Sequence, residues 1–294
     1  MRPIRALLPI AAAAVLAAAP VRAADLDAAA AGKRAVNLSA LQPMLIEQAA
    51  KAACFASLAG PTAANLGDID RALGQLGKVQ AGLRKGSEAL GLVEEDDPRM
   101  LQALDRLDRA MQPLTAVLTS VVGSGGVSEQ ALRRITQLTG PAVAEATDAA
   151  TRAERLHGQG SAVPLAVTLK ISLGARQRVL SQTMSKQLCL IAKGIEVEAN
   201  REALAENVRV FETTLDALID GFDAFGLPPE SNPEQRRKLE GVKGLWADVA
   251  PAFHGVIEGG EPTADDLRSI AWQEKMIFTQ LDQAVFNYEE GAGG

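Results

Sequence analysis

Leu38-Ser-Ala-Leu-Gln-Pro-Met-Leu-Ile-Glu-Gln-Ala-Ala-Lys-Ala-Ala-Cys54 and Leu173-Gly-Ala-Arg-Gln-Arg-Val-Leu-Ser-Gln-Thr-Met-Ser-Lys-Gln-Leu-Cys189 are the stretches on which the fold turns. Laid over one another, 135 residues apart, they pair Ala40 with Ala175, Gln42 with Gln177, Leu45 with Leu180, Lys51 with Lys186 and Cys54 with Cys189 without a gap. The same offset pairs Asn65 with Asn200, Gly86 with Gly221, Gly91-Leu92 with Gly226-Leu227, Pro98 with Pro233, and Leu132-Arg133-x-Ile135 with Leu267-Arg268-x-Ile270. A register kept over a whole unit is the mark of an internal duplication.

Within the second copy, apolar residues recur at helical spacing in four runs. These are Leu180, Met184, Leu188 and Ile191; Val208, Phe211, Leu215 and Leu218; Leu239, Val242, Trp246 and Val249; and Leu267, Ile270, Ile277, Leu281 and Val285. Gly226-Leu227-Pro228-Pro229 ends one helix, Ser231-Asn232-Pro233-Glu234 starts the next, Gly259-Gly260 stops that one, and Thr263-x-x-Asp266 reads as a cap. In the first copy Gly123 to Gly126 and Ser128 serve the same purpose. Helices of about 25 residues joined by short turns are the proportions of an up-and-down bundle. The fold expected is therefore all-α, two tandem antiparallel up-and-down four-helix bundles. They span residues 36–156 and 165–290, separated by the Gly- and Pro-bearing segment His157 to Pro164. No segment reads as a convincing strand.

Upstream of the bundles, Arg2 and Arg5 precede an apolar run from Ala6 to Ala19, and Val21-Arg22-Ala23 supplies small residues at the −3 and −1 positions. This predicts a signal peptide over residues 1–23, cleaved after Ala23, and a periplasmic protein. The run is too short for a membrane span, and no later segment reaches the ~20 apolar residues required, so no membrane insertion is expected after cleavage. Loss of Arg2, Arg5 and Arg22 takes the formal charge from −6 to −9. With two Trp and one Tyr, the chain lacks both the basic field and the stacking platforms that nucleic acid requires.

The chemistry-bearing inventory is thin. Two His (His157, His254) and two Cys form no recognisable metal or haem set, and no Gly-rich phosphate loop follows a strand. The carboxylates fall on polar helix faces, where helix-pair charges account for them. No enzyme activity, cofactor or metal is expected.

Ile171-Ser-Leu-Gly-Ala-Arg-Gln-Arg-Val-Leu-Ser-Gln-Thr-Met-Ser-Lys186 resembles the opening helix of the PilJ-type sensor domain of type IV pilus methyl-accepting transducers, itself similar to the nitrate/nitrite-sensing domain of NarX-type kinases. Arg176-Gln177-Arg178, Leu180-Ser181-Gln182, Met184 and Lys186 match the family pattern; Gly174-Ala175 replaces Ala-Gly, and Thr183 stands where the family has a second arginine. The resemblance implies that Arg178 grips a small anion, and a guanidinium is a planar fork suited to nitrate, nitrite or a carboxylate. At ~100° per residue, Arg178, Gln182, Ser185 and Cys189 share a face that reads as a shallow polar site, with Ser181 beside it, while Arg176 points to solvent. In the first copy Pro43 and Ile46 replace Arg178 and Ser181. Pro43 is tolerable within a first helical turn. If the copies pack first helix against first helix, as subunits of the related sensors do, Cys54 and Cys189 meet and can bridge; otherwise they are two buried thiols inside separate bundles. The functional expectation is a periplasmic sensory or binding module for a small oxyanion acting through a membrane receptor, sensor kinase or transporter. The alternative is a structural interaction module of the cell envelope or pilus system without a small-molecule ligand.

Overall fold

Alanine-rich, leucine-rich segments with few β-branched runs favour helix throughout, and the chain forms eight α-helices among the described residues. A computed structural model describes residues 28–59, 63–158 and 165–291. The expected signal peptide lies outside the described residues, as does most of the segment between His157 and Pro164. The helices are α1 (Ala28–Ala59), α2 (Ala63–Lys85), α3 (Pro98–Ser124), α4 (Glu129–His157), α5 (Leu165–Ala192), α6 (Val197–Asp220), α7 (Pro233–Ile257) and α8 (Ala264–Gly291).

Helices α1 to α4 pack as one antiparallel four-helix bundle, each helix against its chain neighbour and α1 against α4. Helices α5 to α8 make a second bundle in the same order. Leu107, Leu114, Leu118 and Ile135 fill the first core; Phe211, tilted, and Phe253, stacked, pack on Trp246 in the second, with ring centroids 4.8 and 5.1 Å away. Full burial of each such side chain contributes about 1.5–3 kcal/mol.

The helix ends follow the local chemistry. Asp97 and Asn232 cap α3 and α7 ahead of Pro98 and Pro233, and Ser128 caps α4. Thr263 and Asp266 exchange hydrogen bonds as a capping box at the start of α8. Helix α6 stops at Asp220, short of the Gly-Leu-Pro-Pro turn expected to end it.

Two features differ from expectation. Short strands do exist: β1 (Gly86–Ser87) pairs antiparallel with β2 (Leu92–Glu94) around a 3₁₀ turn at Glu88–Leu90. The same turn recurs at Asp223–Phe225, with Phe222 bridging Leu227 and left-handed glycines at both Gly91 and Gly226. Such two- and three-residue pairings leave no periodicity to read. Pro43 lies well inside α1 rather than in its first turn, because the alanine-rich run from Ala28 starts the helix earlier than position 36. Helix α1 accordingly forgoes one backbone hydrogen bond at Pro43.

Candidate functional site

The two bundles meet through their first helices. α1 and α5 lie side by side and run in the same direction, so that Asn37 meets Arg178, Glu47 meets Lys186 and Cys54 meets Cys189. α8 flanks this pair on one side and α4 on the other.

The join combines polar pairs with apolar contacts around its disulfide and at Val179 and Phe278. Lys186 Nζ lies 2.6 Å from Glu47 Oε2, pairing α5 with α1. Glu274 of α8 takes the ammonium of Lys51 from α1 and the amide of Gln182 from α5. At the far end Cys54 and Cys189 form a disulfide with a Cα–Cα distance of 6.2 Å. Leu132, Leu190 and Ile195 enclose it, and neither sulfur-bearing residue is exposed. Buried ion pairs of this kind fix register more than they add stability, because desolvation offsets the attraction.

Arg178 lies at the centre of the seam and is 2 % exposed. Its Nη1 donates to Asp282 Oδ1 of α8 at 2.7 Å and its Nη2 to Asn37 Oδ1 of α1 at 3.1 Å. Its Nε–H finds no acceptor among the described residues. Asp282 sits at the mouth of the seam with its side chain 51 % exposed. The site is therefore a buried guanidinium already supplied with an intramolecular carboxylate, not the shallow polar patch expected.

The other residues expected beside Arg178 do not converge on it as an open pocket. Ser181 Oγ donates to the Arg178 carbonyl and Ser185 Oγ to the Ser181 carbonyl, both back along α5. They line a small void in the second core with Phe211 and Trp246. Gln182 is held by Glu274. Arg176 is exposed. His254 binds Glu212 at 3.1 Å on the outside of the second bundle.

Sequence reasoning did not find Asp282, Asn37 or Glu274. Each lies on a different helix from Arg178, and an acidic residue on a helix flank has no local signature distinguishing it from a solvated charge. Lys51 and Lys186 were visible as an equivalent pair. Their partners differ, because Glu47 of α1 is replaced by Gln182 in α5 and the missing acid comes from α8.

A second buried polar cluster closes the end of the second bundle. Glu230 accepts from Tyr288 Oη at 2.7 Å, from Lys170 Nζ at 2.9 Å and from the Asn232 backbone at 2.8 Å. Burial opposes the charged carboxylate, but these three donors outweigh it and hold Glu230 below the ordinary carboxylate range. Burial pushes the Tyr288 hydroxyl up, and its bond to Glu230 adds to the effect. In the first bundle Glu95 binds the Asp97 backbone at 3.0 Å and His157 at 2.8 Å.

No group of His, Cys, Asp and Glu able to hold a metal ion occurs among the described residues, and no helix there is long and apolar enough to cross a membrane. Residues 170–269, from α5 into the start of α8, match the family model for the type IV pili methyl-accepting chemotaxis transducer N-terminal domain, PilJ. No curated protein and no solved structure matches the chain.

Proposed function

We propose that this chain is an exported, non-enzymatic sensory module in which a small oxyanion such as nitrate or nitrite binds Arg178 by displacing Asp282. The reading rests on the unequal burial of the pair. The guanidinium is fixed and almost wholly enclosed, whereas its carboxylate partner is half in water and able to leave. Nε–H is a further buried donor without an acceptor among the described residues, on the Nη2 side of the guanidinium where Asn37 sits. Because Asp282 is on α8, within the same bundle as Arg178, exchange frees α8 from α5 beside the Asn37 contact that joins α5 to α1 of the other bundle. That contact is the element a partner receptor, sensor kinase or transporter would read. The PilJ match over residues 170–269 supports the sensory class.

Calorimetric titration with nitrate and nitrite at constant ionic strength tests this. Asp282→Ala is expected to bind more tightly than the wild type by about tenfold or more, the scale of one charge-assisted hydrogen bond. Arg178→Ala is expected to abolish binding with helical circular dichroism intact, and Arg176→Ala to change little. Absence of binding in both wild type and Asp282→Ala would overturn the proposal.

A second reading, an interaction module with no small ligand, is favoured by one observation. Trp272, Met276 and Phe286 are 70, 40 and 43 % exposed and fall on one outer face of α8.

A further inference from the structure

The two flanks of the α1–α5 join are not alike. On the α8 side the space is filled by Arg178, Phe278, Asp282 and Val285. On the α4 side the residues 135 positions earlier are Pro43, Val143, Thr147 and Ala150. Each replacement is smaller or lacks the reach of its counterpart, while α4 still meets α5 at the Glu154–Ser172 hydrogen bond and at Leu132. The result is a cleft of about 500 Å³ between α1, α4 and α5, within the size range of small-molecule sites.

Its floor is apolar: Ala40, Pro43, Val143, Ala175 and Val179. Along its edge four hydrogen-bond donors are already used. Thr147 Oγ1 donates to the Val143 carbonyl, Thr183 Oγ1 to the Val179 carbonyl, Ser172 Oγ to Glu154 Oε1, and Asn207 Nδ2 to Gln187 Oε1. Asn37 and Arg176 line the cleft as well, and two carboxylates face it. Glu47 is neutralised by Lys186. Glu154 is half-buried, and its side-chain partner among the described residues is the neutral Ser172 hydroxyl. Arg176, at the exposed rim, acts on Glu206 and helps lower its pKa, behind the larger effect of Arg209. A ligand head placed at Glu154 must bring donors and positive charge, and an ammonium group brings three donors and no acceptor.

We propose that this cleft binds a small amphipathic amine, its alkyl body along Pro43, Val143 and Val179 and its ammonium at Glu154. The site adjoins that of Arg178 through Asn37 and takes the opposite charge.

Calorimetric titration of the full chain with n-hexylammonium, n-butylammonium, n-hexanol and hexanoate, at matched ionic strength, provides the test. Hexylammonium is expected to bind saturably at one site per chain. Butylammonium is expected to be weaker by about fifteenfold, as two methylenes at about fourfold each imply, and hexanoate not to bind. Glu154→Gln removes the preference for hexylammonium over hexanol. Val143→Phe restores the side chain type that fills the other flank and abolishes binding; should it fail to fold, Ala150→Leu fills the same space. Hexanoate binding as tightly as hexylammonium, undiminished binding in the filled variants, or no saturable uptake would overturn the proposal.

Discussion

Arg178 shows how one side chain constrains three helices. A guanidinium cannot shed its charge on burial, so α5 requires acceptors from α1 and α8, and Asn37 and Asp282 provide them. Removing one partner of a fully buried pair costs about 3–5 kcal/mol; with Asp282 half exposed and water able to replace it, Asp282→Ala is expected to cost about 1–2 kcal/mol in urea unfolding. Arg178→Met, which removes the charge itself, is expected to cost less; the reverse order would mean that the guanidinium is stabilised by something other than Asp282. The Glu230–Tyr288–Lys170 cluster carries a pH prediction at the same scale. Glu230 has a folded pKa below its ordinary 4.5. Its contribution is therefore full above about pH 4.5 and disappears as pH falls through the folded value. Tyr288 is raised above its ordinary 10.0, so its contribution is full below about pH 10 and disappears at higher pH. The stability gap between wild type and Glu230→Gln should thus be constant near neutrality and close in acid. The gap to Tyr288→Phe should instead close in strong alkali, as thermal unfolding across pH would record.

Among the elements, the helices and most of their ends were legible because each depends on neighbours in sequence. Asn232-Pro233 and Thr263-x-x-Asp266 act locally and perform as their chemistry dictates. What was not legible depends on distant partners or on how far a helix extends. The start of α1 was misplaced because Pro43 reads as a boundary, while the tertiary contacts of a 32-residue helix outweigh the loss of one backbone bond. Arg178 could be singled out from its motif, but its occupancy by Asp282, 104 residues away, could not. Close approach of helices is equally invisible in one strand of sequence. A Cβ placed on Gly174 of α5 would lie 2.8 Å from Val285 Cγ2 of α8, and Val285 is fully buried with no space to yield. Gly174→Ala is therefore expected to destabilise despite gaining up to ~1 kcal/mol of helix propensity, since overpacking costs about 1–3 kcal/mol. Gly244→Ala, on the exposed face of α7 with nothing within 4 Å of its Cβ, is expected to stabilise by about 0.5–1 kcal/mol. Chemical denaturation of both variants checks the contrast, and equal signs would show that the α5–α8 contact is looser than described.

At the scale of the whole molecule, two cores of ordinary apolar packing are joined by a seam that mixes ion pairs with apolar contacts. The seam's ion pairs bring register but little net free energy, and the Cys54–Cys189 bridge is the covalent constraint on the bundles' separation. The bridge closes a loop of 135 residues, and the chain-entropy model assigns about 5 kcal/mol to such a closure, with measured values for natural disulfides of about 2–5 kcal/mol. The position of the bridge implies more than added stability. It lies between the bundles rather than within either, so its removal leaves each core intact while releasing one from the other. The Cys54→Ala/Cys189→Ala double variant is therefore expected to keep its helix content and lose cooperativity between the halves. The chain reports this without labelling, because both its tryptophans, Trp246 and Trp272, belong to the second bundle, whereas helical circular dichroism follows both. In the wild type the fluorescence and circular dichroism transitions in urea should coincide, as two-state unfolding requires. In the double variant they should separate, the fluorescence tracking the second bundle alone. Coincident transitions in the double variant would mean that the polar seam couples the bundles by itself, and the disulfide would then be an addition to an interface already sufficient.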